Sequence, residues 1–151
     1  MIKNMITYSI ATEEDIDKLK QLTDDMLTHT SLGVATLPKI RALVMSPNTL
    51  VTLAWIDDTK TKLIGFSCAV VHESMFNNNK RVSDIGLFVD KEYRKSEIAA
   101  VLIEQLEAWA MQQGAGQIWL GQTTGDNVAI VERYYNRLGY KTQGFNCVKE
   151  L

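Results

Sequence analysis

The 151-residue chain is poor in the residues that build metal centres and redox staples, holding two cysteines and two histidines. Cys68 and Cys147 lie far apart, with no CxxC and no Cys/His cluster beside either, so the ligand spacing of a zinc site is missing and both read as small apolar fillers. A single disulfide between them stays open, although Cys68 sits in the apolar stretch 66–71, where a buried reduced thiol is the commoner state. His29 and His72 are too few to favour a histidine-based zinc site or a serine-type triad. Neither sign of charge is in excess, with 16 Lys and Arg against 18 Asp and Glu. A basic surplus of the kind that grips a phosphate backbone is absent, and nucleic acid is not expected as a partner. The longest wholly apolar runs are pieces such as residues 99–103, far short of the ~18 residues of a membrane-spanning helix. The first eleven residues carry one Lys and scattered apolar side chains before Glu13, Glu14 and Asp15, which is no secretory leader. The expectation is a cytoplasmic protein that does not enter a membrane.

What is present is a length near that of one domain and a composition of 46% hydrophobic and 23% charged residues, as in soluble globular proteins. No repeat, low-complexity run or linker divides it, so residues 1–151 read as one domain. Residues 5–10 are β-prone. Thr12-Glu-Glu-Asp15 resembles a capping box with Asp in place of Glu, and Ile16, Leu19, Leu22 and Met26 recur at helical spacing, which predicts a helix reaching about Thr28. Pro38 is well placed to open a second helix over 37–45, closed by Ser46-Pro-Asn. Residues 50–56 and 62–72 are rich in β-branched, aromatic and aliphatic side chains around the turn-like segment 57–61, which predicts a hairpin. A polar loop, 75–80, leads to a strand over 82–89. Residues 97–113 form a densely apolar helix stopped by Gly114 and Gly116, 117–121 a strand, 126–138 a helix stopped by Gly139, and 140–149 one or two closing strands. Trp55, Trp109 and Trp119 all lie in apolar segments and are expected in the core.

This order is an α/β pattern with a mixed sheet, antiparallel at first and then a β-α-β unit over 82–121. A strand that feeds a helix N-terminus presents unpaired N–H groups and the positive end of the helix dipole, which together favour phosphate. Arg94-Lys-Ser96 sits at that junction.

Leu87-Phe-Val-Asp-Lys-Glu-Tyr-Arg-Lys-Ser-Glu-Ile-Ala-Ala-Val-Leu102 resembles the acetyl-CoA-binding signature of the GNAT N-acetyltransferases, whose usual form is a strand, R/Q-x-x-G-x-G/A, then a helix. Tyr134-Tyr-Asn-Arg-Leu-Gly-Tyr140 is similar to the late F-Y-x-x-x-G-F signature of the same family. Ala108-Trp-Ala and Gly121-Gln-Thr-Thr-Gly125 are also similar to phage-encoded members. The resemblance implies a single-domain GNAT-like α/β fold, a central mixed and mostly antiparallel sheet flanked by helices. It implies acyl transfer from acetyl-CoA, as co-substrate and without a metal, directly to a primary amine on a small molecule or peptide. A homodimer is compatible with it.

By the same resemblance, Leu87, Phe88 and Val89 would pair with the pantetheine arm, while Arg94, Lys95, Ser96, Glu97, Ile98 and Ala99 would hold the pyrophosphate. Asn127 would contact the coenzyme as well, although it stands one residue further from Tyr135 than is usual. Glu97 replaces the first motif glycine, putting a side chain and a negative charge where backbone normally approaches phosphate. Tyr135 matches the family tyrosine that protonates the departing thiolate, and Glu73 or Asp84 is a conceivable general base or anchor for the acceptor amine. Residues 27–38 and the Asn77-Asn-Asn79 loop would border the acceptor, and Asp24 and Asp25 with Glu73 and Asp84 would suit a cationic one. Without the family, Tyr135 at i+4 from Val131 reads as core and Arg94-Lys95 as a solvated pair. Two rival classes stay open. One is a catalytically degenerate coenzyme A-binding or partner-binding module, for which Glu97 speaks, and the other is a structural protein, such as a phage-particle component, that uses the fold as a scaffold.

Overall fold

The computed structural model describes residues 5–28, 30, 33–122 and 127–151. His29, Gly125 and Asp126, on which parts of the sequence reading fall, lie outside them. The chain runs β1 (Thr7–Ile10), a 3-10 turn over Glu13–Asp15, α1 (Ile16–Leu27), α2 (Leu37–Met45), β2 (Thr49–Trp55), β3 (Leu63–Glu73) and β4 (Lys80–Val89). After a second 3-10 turn, Lys91–Tyr93, come α3 (Ile98–Gln112), β5 (Gln117–Trp119) and α4 (Val128–Arg137). The capping box works with aspartate: the Thr12 N–H donates to the Asp15 carboxylate at 2.9 Å. The side chain of Thr36 accepts from the Lys39 N–H, and Pro38 stands in the first turn of α2, where no helical N–H is missed.

The five strands lie in chain order, antiparallel from β1 to β4 with β5 parallel to β4. Side chains alternate across a strand, so Leu53 and Ala54 face opposite ways. On the Leu53 side, α1 and α2 bury Leu19, Leu22 and Ile40 against Val51, Phe66 and Cys68. On the Ala54 side, Ile98 and Leu102 of α3 pack on Ile64 and Val89, and Leu106 and Ala110 on Ala69 and Val82. The dense apolar surface of α3 is therefore spent on one face of the sheet. Gly65 permits the approach, because a Cβ there would stand 3.0 Å from the Phe88 carbonyl oxygen and 3.5 Å from the Ile98 side chain.

Two irregularities open the sheet. In the β3–β4 ladder Cys68 opposes Gly86 and Ala69 opposes Asp84, which leaves Ile85 as a bulged extra residue. The parallel β4–β5 ladder joins only Arg81–Ser83 to Gln117–Trp119, and beyond Ser83 and Trp119 the two strands are not paired.

Several expectations are corrected. Residues 140–149 form no strand and are largely exposed; a strand exists only through its ladder, and β5 is three residues long, too short an edge to carry another. The strand expected over 117–121 ends at Trp119 for the same reason. Trp55 is buried, but Trp119 is 44% exposed, its ring capped by the Arg81 guanidinium at 4.4 Å rather than by core side chains. Cys68 is buried and Cys147 exposed, and both are free. No helix among the described residues is long and apolar enough to cross a membrane.

Candidate active site

A cavity of about 700 Å3 occupies the gap where β4 and β5 part. Its walls come from both faces of the sheet: Leu87, Val89, Ala99, Val131 and Tyr135 on the α3 and α4 side, and Leu19, Ile40, Phe66 and Cys68 on the α1 and α2 side. Asp84, Ile85, Gly86, Gly121 and Gln122 line the passage between. The bulge is what makes the passage, since it breaks the β4 ladder where β5 is about to leave it. Helix α4 has a strongly apolar face but no fully buried residue; Ile130, Val131 and Tyr135 spend that face on the cavity instead of on the core.

Asp84 is the central polar group. Its Oδ1 accepts the Gly121 N–H at 3.0 Å, which ties β4 to the segment after β5. Burial pushes its carboxyl up to about 6, and the Gly121 hydrogen bond opposes this only in part. The Asp84 charge reaches the Cys68 thiol, already pushed up by burial, to about 12 in all. Tyr135 projects from α4 into the same space. Burial first, then Asp84, Tyr134 and Tyr140, raise its hydroxyl well above the ordinary tyrosine range. That hydroxyl has no hydrogen-bond partner among the described residues, so it is a protonated and unspent donor. The Tyr135 ring lies 6.3 Å from that of Tyr140. The Tyr140 hydroxyl is buried without a partner among the described residues and is raised to about 12 by burial, Glu107 and Asp84.

At the other end the cavity reaches the junction of β4 and α3. Arg94 folds back, its Nε–H donating to the Val89 carbonyl at 2.9 Å and its guanidinium 5.4 Å from the Phe88 ring centre. The Ser96 hydroxyl donates to the Tyr93 carbonyl and accepts from the Ile98 N–H at 3.4 Å. The N–H groups of Ala99 and Ala100, in the first turn of α3, have no acceptor among the described residues. Glu97 caps the helix at φ −82° and ψ 3°, a conformation open to any residue, so the motif glycine is not needed there for its backbone freedom.

Of the residues singled out from sequence, the cavity brings together Asp84, Leu87, Phe88, Val89, Arg94, Ser96, Ala99, Asn127 and Tyr135. Asn127 lies in the left-handed region, φ 52°. Glu73 stands exposed at the far end of the β3–β4 hairpin, opposite Lys80, away from the cavity. Ile98 turns its side chain into the core at 0% exposure, so only its backbone is available. Lys95 and Glu97 are exposed outside the cavity lining, as are Asp25 and the Asn77–Asn79 loop, and the half-buried Asp24 is also outside it. The sequence reading missed Gly121, Gln122, Thr23 and Cys68. The bulge at Ile85 had a signal, because a lone glycine such as Gly86 inside a strand pattern marks an irregular ladder.

A mixed five-stranded sheet split between its last two strands, with a ligand cavity through the split, is the architecture of an acyltransferase fold. The family model described as "Acetyltransferase (GNAT) family" matches residues 17–140, and the chain belongs to that family. N-acetyltransferase 8 of Homo sapiens is 29% identical over 96 residues, covering 62% of this chain and 41% of that protein, so the matched stretch is about two fifths of the relative's length. Among solved structures, the aminoglycoside 6'-N-acetyltransferase AAC(6')-Ih of Acinetobacter baumannii superposes with a TM-score of 0.76 at 23% identity, over 97% of this chain and 99% of that one. AAC(6')-Iy, in complex with the bisubstrate analogue CoA-S-monomethyl-acetylneamine, has a TM-score of 0.78 at 15% identity, over 97% and 98%. A Trypanosoma brucei acetyltransferase gives 0.77 at 12%, over 97% and 100%.

Proposed function

We propose that the protein moves an acetyl group from acetyl-CoA directly to a primary amine, at the gap between β4 and β5. The observation that carries this reading is that one cavity joins an unspent tyrosine donor, a half-buried carboxylate and the open N-terminus of α3. The residues fit the coenzyme: the free Ala99 and Ala100 N–H groups and the Arg94 guanidinium suit a pyrophosphate, and the unpaired edge of β4 past Ser83 suits the amide groups of a pantetheine arm. The bisubstrate analogue held by AAC(6')-Iy, which joins coenzyme A to an acetylated amine, supports the same division of this cavity.

Acetyl-CoA supplies the thioester. The chain's own groups supply the proton handling. An alkyl ammonium has an ordinary pKa near ~10.4 and attacks only when neutral. The cavity's apolar walls disfavour the charged amine, and ionised Asp84 takes its proton, directly or across one water. As the nitrogen–carbon bond forms, the attacking nitrogen gives up a second proton to water; as the carbon–sulfur bond breaks, the Tyr135 hydroxyl gives its proton to the departing sulfur and regains one from solvent, and Asp84 returns its own to solvent. An N–H of the β4 segment Leu87–Val89 polarises the thioester carbonyl. The elevated pKa of Tyr135 keeps its hydroxyl protonated throughout the neutral range.

Binding tests the coenzyme half. Arg94→Ala should weaken acetyl-CoA binding measured by calorimetry by about 1.5–3 kcal/mol, the range of a charge-assisted hydrogen bond, with the loss shrinking as salt rises. An unchanged dissociation constant at low salt would place the phosphates elsewhere.

A further inference from the structure

We infer that the acceptor is a primary amine with a single ammonium on an apolar body, an alkylamine or arylalkylamine, and that this body lies in the half of the cavity enclosed by α1 and α2. The inference rests on the amine acetyltransferase reading and names its substrate class. The two halves of the cavity differ in chemistry. The half on the α3 and α4 side holds Arg94, Ser96 and the open helix N-terminus. Across the gap, on the opposite face of the sheet, the lining is Leu19, Met26, Ile40, Leu43, Val51 and Phe66, and Leu19, Ile40 and Phe66 are each at most 4% exposed. The polar groups among these walls are Thr23, whose hydroxyl proton is spent on the Lys20 carbonyl at 2.9 Å, and the uncharged, buried thiol of Cys68.

Charge narrows the acceptor further. Among the described residues that line the cavity, Asp84 is the one carboxylate, and the other charged groups are Arg94 and Arg137, both cationic. Asp24 is engaged by Lys20 at 2.6 Å outside the cavity, and Glu13 by Arg41. One ammonium can therefore meet Asp84 at the gap. A second ammonium on the same acceptor would be stripped of water among leucine, isoleucine and phenylalanine side chains with no counter-charge among the described residues. An alkyl or aryl body in that place is instead removed from water at a gain.

The test uses the intact protein, saturating acetyl-CoA, and thiol release with propylamine, butylamine, hexylamine, phenethylamine, spermidine and an aminoglycoside. From propylamine to hexylamine, kcat/KM should climb by about fourfold per methylene, and hexylamine should exceed spermidine at least tenfold. Met26→Glu, at a partly buried position of α1, should flatten the alkyl series and narrow the gap to spermidine. It should keep the thermal shift produced by acetyl-CoA, which shows that it folds and binds the coenzyme. Spermidine or the aminoglycoside outrunning hexylamine overturns the inference and leaves the acetyltransferase reading standing. A flat amine series with hexanoyl-CoA used faster than acetyl-CoA also overturns it, because the apolar half would then hold the acyl chain. Absence of turnover across the alkyl series overturns it as well; loss of the acetyl-CoA thermal shift in the unmodified protein would remove the underlying reading too.

Discussion

In the proposed reaction Asp84 and Tyr135 carry opposite duties because of where the bulge and α4 put them. Asp84 stays charged at neutral pH at a cost, since its carboxyl titrates at about 6 in the fold against ~3.9 in an unfolded chain. Between these values the native state holds a proton that the unfolded state has lost, so stability falls as pH rises through that window. Asp84→Asn keeps an oxygen for the Gly121 N–H and removes the charge. The melting temperature of the variant should therefore pull ahead of the wild type between pH 4 and 6 and hold a constant lead above, as scanning calorimetry across that range would show. A constant difference at every pH would mean that the Asp84 carboxyl titrates normally. The same ionisation should give kcat/KM a rising limb near pH 6, absent in the variant.

Tyr135 meets the complementary test. Tyr135→Phe keeps the ring beside Tyr140 and deletes the unspent hydroxyl, so acetyl-CoA affinity should hold while kcat drops roughly 10²-fold, the lower end of what a positioned acid contributes. Normal turnover would make the tyrosine structural, with the proton coming from solvent. Tyr134, adjacent on α4, is the control for helix register.

At the scale of elements, α3 is the platform on which the site is built, since its first turn faces the cavity while Ile98 and Leu102 anchor it to the sheet. Leu102 is fully buried, and Leu102→Ala should cost ~2–5 kcal/mol of unfolding free energy in urea; a loss under 1 kcal/mol would show that α3 is loosely held. This helix was legible from sequence because its apolar residues are dense and its C-terminal glycines sharp, and α2 was legible from Pro38 and Ser46. The closing strands were not, because whether residues 140–149 pair depends on the length of β5, a tertiary fact that local alternation of side chains does not carry. Trp119 misled for a related reason: an apolar neighbourhood in sequence does not say that a three-residue edge strand will have cover on both faces. For the candidate site, motif spacing led to Arg94, Ser96, Ala99 and Tyr135. Choosing Asp84 over Glu73 required the register of β4, because only the bulge at Ile85 shows which carboxylate meets the gap.

At the scale of the whole molecule, the sheet works as a partition with one opening. In the proposed reaction coenzyme and acceptor would approach from opposite faces and meet beside Asp84 and Tyr135, so that both are held at once and no acyl group is stored on the protein. Cys68, the one described cysteine in the cavity lining, is held as a neutral thiol by burial and the Asp84 charge, which leaves it a poor nucleophile for such storage. Direct transfer is most plainly tested by mixing the protein with acetyl-CoA and a panel of primary amines near pH 8 and measuring free thiol and acetylated amine in the same samples. Equal amounts of thiol and N-acetylated product, formed only when an amine is present and cut roughly 10²-fold by Tyr135→Phe, are expected. Thiol release that ignores the amine, or acetyl groups recovered on Cys68 in place of the amine, would contradict it.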